Sequence, residues 1–177
     1  MKWERGITAL VLTLVLLLVI RCGLYIPRVK REILPVFIDI TQPFYPVYFG
    51  TPEGDRLLPE FRQGQGTIED RLASLLEGPK LEDLVAVIPP EVRVLGYSQR
   101  GDILFVNFSH HLITNHPGGS AGEIITVYGI VNTLVGASGI KRVQILVENE
   151  QIDTLTGHLD LQQPLTKDYE LLGSSFI

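Results

Sequence analysis

The chain predicts an α+β fold: a largely antiparallel sheet with two helices on one face, in the order ββαββαββ, behind an N-terminal transmembrane helix. Three observations predict it. Short β-branched and aromatic runs recur in pairs separated by turn residues, which is the pattern of hairpins. Two other stretches repeat their apolar residues at helical spacing and carry start signals. Hairpins alternating with helices lead to helices layered on an antiparallel sheet. One such domain plus an anchor fits 177 residues, and an apolar content of 45% is enough for a packed core.

Residues 6–20 form an unbroken apolar run after a short polar start. The run continues past Arg21 through Cys22 and Tyr25 to residue 26, and so reaches the roughly twenty residues that cross a bilayer. Arg21 can snorkel to the interface, and Tyr25 suits the aromatic belt. A cleaved signal peptide would want small residues just before the cut, and no such pair follows the run. Residues 1–26 are therefore expected to be an uncleaved single-pass anchor, with a lipoprotein at Cys22 as the alternative. Lys2 and Arg5 on one side are matched by Arg21, Arg28, Lys30 and Arg31 on the other, so charge leaves the orientation open. Residues 27–43, with Pro27, Pro35 and Pro43, read as a juxtamembrane linker that can contribute an edge strand. The globular domain is expected over 44–168 and a C-terminal tail over 169–177.

Within the domain, residues 45–49 and 56–62 flank the turn chemistry of Thr51-Pro52-Glu53-Gly54-Asp55 and form the first hairpin. Thr67 followed by Asp70 opens a short amphipathic helix through Ile68, Leu72, Leu75 and Leu76, and Gly78-Pro79 stops it. Residues 84–88 lead into the rigid corner Pro89-Pro90. A second hairpin joins 92–97 to 103–108, and a third joins 142–147 to 151–155 across Asn149-Glu150. The tail 156–161 closes the domain.

The long helix over 118–135 organises the rest. Ser120 is a natural N-cap and Glu123 stands three residues later, so the pair reads as a capping box. Ile124, Val127, Tyr128, Val131, Leu134 and Val135 cover more than half of the circumference, which predicts a helix buried on most sides. Gly122, Thr126, Gly129, Thr133 and Gly136 make a strip of small residues on the remaining face. Each interior glycine costs about 1 kcal/mol relative to alanine, so close approach of another element or of another subunit is expected there. The strip is the candidate interface.

Charge excludes one class of partner. Nine of the fifteen Lys and Arg but seventeen of the twenty Asp and Glu follow residue 40, which leaves the globular part near −8. Nucleic-acid binding needs clustered cations, so no nucleic acid is expected. Cys22 is the one cysteine, which excludes an intrachain disulfide.

The polar constellations point to structure more than to chemistry. His110 and His111 at a strand's end point to opposite sides, and with His116 they lack a Cys or a carboxylate pair to complete a metal shell. No cofactor is expected. His158 and Asp160 could nominally join Ser109 or Ser120 as a Ser-His-Asp set, but no nucleophile elbow is present. They read as side chains that bond buried backbone ends and fix the tail. Asn132 lies among apolar positions on the long helix and should bond the backbone of a neighbouring segment. Gly118-Gly119 before a helix N-terminus is a possible anion site, already partly satisfied by Ser120 and Glu123.

Taken together, TIEDRLASLLEGP, VIPPEVRVLGYSQRGDILFVNFS, GGSAGEIITVYGIVNTL and KRVQILVENEQIDTLTGHLDLQQPL resemble, in that order, the GerMN domain of sporulation and germination proteins. The likeness runs from about Tyr45 to Lys167. It rests most on 75–79, on Pro89 and the hairpin ending Asn107-Phe108-Ser109, on Ser120 with Glu123, on Tyr128, on 131–134 with Asn132, and on Gly157-His158-Leu159-Asp160. The resemblance implies an extracytoplasmic, membrane-tethered domain without known catalysis, similar in fold to ring-building modules of the bacterial envelope. Well-known members carry two copies and a lipoprotein signal, whereas this chain has one copy and Arg21 before Cys22. The expected function is homo- or hetero-oligomeric assembly with envelope proteins, the alternatives being peptidoglycan binding and, more remotely, wall hydrolysis.

Overall fold

A computed structural model describes residues 42–172. The anchor and most of the linker expected over 1–43 lie outside the described residues, as does the end of the tail. Among the described residues no helix is long and apolar enough to cross a membrane.

The first hairpin pairs β1 (Phe44–Gly50) with β2 (Leu57–Gln63) as a two-stranded sheet of its own. Alternation sends Tyr45, Val47 and Phe49 into the core and leaves Phe44 and Phe61 on the outer face. α1 (Ile68–Glu77) starts at a complete capping box: Thr67 accepts the Asp70 amide and Asp70 accepts the Thr67 amide. It stops at Gly78, whose φ of 84° suits a residue without Cβ. The chain then runs irregularly to residue 93, touching β1 through a bridge in which Gly50 and Val85 exchange backbone hydrogen bonds.

The second hairpin joins β3 (Val94–Arg100) to β4 (Ile103–Phe108), with Gly101 in the left-handed region of the turn. A short helix, α2 (His111–Thr114), precedes α3 (Ser120–Leu134). β5 (Arg142–Val147) then lies parallel to β4, in register from Ile103 opposite Arg142 to Phe108 opposite Val147. β6 (Glu150–Gln151) and β7 (Leu165–Thr166) each add two residues to β5.

This arrangement corrects the expected architecture at three points. The hairpins form two sheets, and the larger is mixed. A helical crossover returns the chain to the end of the sheet from which β4 began, so β5 runs parallel to β4. The third hairpin shrinks to two residues, because after the left-handed turn at Glu148 and Asn149 the chain leaves the sheet to meet α3.

α3 is the centre of the core. Its Val127, Ile130, Val131 and Leu134 are fully enclosed together with Phe49, Phe108, Leu104 and Val143. Arg71 ties α1 to it, donating to the carbonyls of Gly66 and Thr133 with its guanidinium over the Tyr45 ring. Thr133 lies in the last turn of α3, where the orphaned carbonyls carry partial negative charge, so a cation there satisfies both charge and hydrogen bond. Burial nevertheless holds the Arg71 pKa below its ordinary value.

Candidate functional site

Glu123 sits one turn into α3 and is 0% exposed. A carboxylate in such a place needs donors, and the loop after β6 supplies them. Leu155 donates its amide to Oε1 at 2.8 Å, while the Thr156 hydroxyl and the His158 amide donate to Oε2 at 2.8 and 2.9 Å. Burial by itself pushes the carboxyl pKa up, but these donors outweigh it and hold the group below the ordinary glutamate range.

The capping box expected at this helix is therefore absent. Gly119, at φ 82°, is the N-cap; Ser120 is exposed as the first helical residue, and no side chain caps the helix. Glu123 turns toward the 155–158 loop because three donors in the interior outbid one amide at the surface. The tail is fixed by this carboxylate instead of by His158 and Asp160. His158 is exposed and contributes only its backbone amide, and the exposed Asp160 accepts the amide of Gln162. Gly157 adopts φ 98° within the same loop.

Asn132, further along α3 and 1% exposed, makes a two-way link to the backbone of Asp168: its Nδ2 donates to the carbonyl and its Oδ1 accepts the amide, at 2.8 and 2.9 Å. The two polar side chains thus hold two successive segments of the C-terminal stretch against one helix.

The middle of the small-residue strip is filled from inside the domain. A Cβ at Gly129 would stand 2.8 Å from a methyl of Val87. Thr126 is buried and bonded to His116, and Thr133 accepts the Tyr48 amide. Gly122 faces His116, and Gly136 lies beyond the helix end in the left-handed region. Of the expected interface strip of Gly122, Thr126, Gly129, Thr133 and Gly136, the three middle residues pack within the domain, with Val87 of the Pro-rich segment against Gly129, whereas Gly122 is half-buried and Gly136 exposed.

The histidines go separate ways. His116 accepts the Gly118 amide at Nδ1 and pairs through Nε2 with the Thr126 hydroxyl, which assigns the neutral tautomer with its proton on Nε2. Burial lowers its pKa below the ordinary imidazole value. His111 stands 3.4 Å from the Ser109 hydroxyl and 3.9 Å from Glu91, but Ser109 is 2% exposed and spends its oxygen on the Arg93 amide. A serine so enclosed is placed to close the β3 entry and not to attack a substrate. Among the described residues no group of three or more His, Cys, Asp and Glu side chains could hold a metal ion.

One buried ion pair escaped the reading of the sequence. Arg62 reaches Glu60 at 2.6 Å, Glu77 at 2.9 Å and the Gly78 carbonyl, while Glu60 accepts the amides of Lys80 and Leu81. Alternation along 57–63 already placed both charges on the inward face, which was the available signal. The cluster closes the C-terminal end of α1 against β2, where a cation suits the helix dipole.

A two-stranded hairpin and a mixed sheet closed on one buried helix, with interior polar groups spent on joining chain segments, define a small α+β module. The chain belongs to the Germane family, described as sporulation and spore germination, whose model matches residues 46–153. Solved structures share the fold. The first GerMN domain of the sporulation protein GerM from Bacillus subtilis is 16% identical, with a TM-score of 0.55, covering 71% of this chain and 96% of that one. The tandem GerMN domains of the same protein are 18% identical at a TM-score of 0.58, covering 76% of this chain and 49% of theirs. A "Putative Lipoprotein from Clostridium perfringens" is 24% identical at a TM-score of 0.51, covering 71% of this chain and 88% of that one. A comparison with curated proteins returns no match. The family is known by its part in sporulation and germination and is not a known enzyme family.

Proposed function

We propose that the protein is a non-catalytic, membrane-tethered module on the extracytoplasmic side of the bacterial envelope, and that it works by assembling with copies of itself or with other envelope proteins. The observation that carries this reading is the state of β3. Among the described residues it is an edge of the five-stranded sheet, all but its first residue is exposed, and it holds Leu95 and Tyr97 at 44% and 40% exposure. An open strand edge is a template for pairing with another chain. The apolar run at 6–20 and the lipoprotein among the structural neighbours support the tether.

Sedimentation velocity of the full-length protein in detergent, over a wide concentration range, tests it. Reversible growth into a defined oligomer that Leu95→Lys abolishes, with the melting curve unchanged, is the expected result. A strict monomer that also cross-links to no envelope protein in cells would sink the proposal.

A further inference from the structure

The outer face of the β1–β2 hairpin carries a cleft. Pro46 lies directly opposite Phe61 and Tyr48 opposite Pro59, so all four share this face. The chain returning from β7 lays Lys167 and Tyr169 beside them, leaving a cleft of about 380 Å³. Phe61 is 62% exposed and Tyr169 73% exposed. Both rings line this one cleft, and an open apolar surface beside a concavity is the setting in which ligands bind.

The cation in the cleft carries the argument further. The Lys167 ammonium donates to the Tyr48 hydroxyl at 3.0 Å and lies 4.8 Å from the Tyr48 ring and 5.4 Å from the Tyr169 ring. Among the described residues no carboxylate pairs with it. The adjacent Asp168 turns its carboxylate to the amides of Glu170 and Leu171 instead. An ammonium has three donors, so two remain for an incoming acceptor. In a domain near −8, one unneutralised cation held between aromatic rings calls for one anionic group attached to something that stacks.

The surroundings narrow the ligand. A membrane surface or a nucleic acid would need several cations here, and the cleft has one. An extended peptide would need main-chain donors, but Pro46 and Pro59 have no N–H and the Pro46 carbonyl already accepts from Arg71. Flat open rings beside an ammonium and a phenol suit a sugar that carries an acidic substituent: its C–H face lies on the aromatic rings and the substituent's carboxylate on the cation. We propose that this cleft binds a peptide-substituted wall glycan, with Phe61 and Tyr169 as the stacking platform for a sugar ring and Lys167 as the anchor for a free carboxylate of the attached peptide. The site adds a ligand to the module proposed above and does not depend on self-assembly.

Binding of the full-length protein in detergent to insoluble peptidoglycan, measured over a range of wall concentrations, tests this. The same wall with its carboxyl groups converted to amides is the companion probe. Phe61→Ala, Tyr169→Ala and Lys167→Met should each weaken binding about tenfold, a loss of about 1.4 kcal/mol, with circular dichroism melting unchanged. Amidation should weaken wild type similarly and leave Lys167→Met unaffected. Lys167→Arg, which keeps the charge, should retain most of the affinity. Absence of wall binding, variants that bind like wild type, or equal binding to native and amidated wall would overturn the proposal. So would loss of binding to phosphatidylglycerol vesicles in these variants without any wall binding, which would assign the cleft to a membrane surface. A monomer that cross-links to no envelope protein but binds wall would defeat the assembly reading alone, and an oligomer indifferent to wall would defeat this one alone.

Discussion

The Glu123 carboxylate on α3 accepts the backbone amide of His158 at 2.9 Å, thirty-five residues further along the chain. With Leu155 and Thr156 on the same carboxylate, it makes the first turn of the central helix a mooring for a loop that has little secondary structure of its own.

Glu123→Gln should cost about 2–4 kcal/mol, because a buried amide N–H₂ would then face donors that need an acceptor. Urea denaturation reads the loss, and hydrogen exchange at the Leu155 and His158 amides should speed up most. The carboxyl is held below its ordinary 4.5, so the folded state binds fewer protons than the unfolded chain as pH falls past that value. Its contribution is full above 4.5 and is lost as pH drops through the lowered folded value. The variant should lack that part of the acid limb.

His116 has the same sign in a different window. Burial lowers its pKa below 6.5, and its Nδ1 must stay unprotonated to accept the Gly118 amide. Stability from this group is complete above 6.5 and declines as pH falls toward the lowered folded value. Denaturation midpoints measured between about pH 7.5 and pH 5 should fall more steeply for wild type than for His116→Gln.

Gly129→Ala should destabilise the fold by about 1–3 kcal/mol even though alanine is the better helix former, because the new methyl would overlap Val87. Combining it with Val87→Ala should recover part of that loss. A double-mutant cycle in urea that shows simple additivity would exclude the contact as the cause.

Asn132→Leu should cost about 2–3 kcal/mol by leaving both backbone groups of Asp168 without partners. Because Lys167 and Tyr169 flank Asp168, protease cutting near residue 168 should accelerate before global unfolding does. Unchanged cutting rates would show that the C-terminal stretch is held by other contacts.

Local signals carried much of the fold. Thr67 and Asp70 mark the start of α1 because a capping box lies within four residues of chain, and Gly101 and the Asn149 turn mark hairpin corners for the same reason. The apolar residues around most of the 118–135 helix require it to be buried, and the structure encloses it.

What lay beyond the sequence depended on distant partners. Ser120 and Glu123 satisfy the capping pattern as well as Thr67 and Asp70 do, yet only the second pair closes. The difference is three donors from residues 155–158 that the fold brings to Glu123. Likewise Gly129 is compatible with a second subunit or with Val87, and only the path of 84–90 brings Val87 against it. Lys167, Phe61 and Tyr169 share no periodic pattern and meet only because the last segment crosses the outer face of the first hairpin. By itself the sequence determined most of the elements, the burial of the central helix and the family, since these follow from spacing and propensity along the chain. Tertiary structure decided which polar group bonds which segment, because a buried donor or acceptor takes the best partner in space, whatever its distance in sequence.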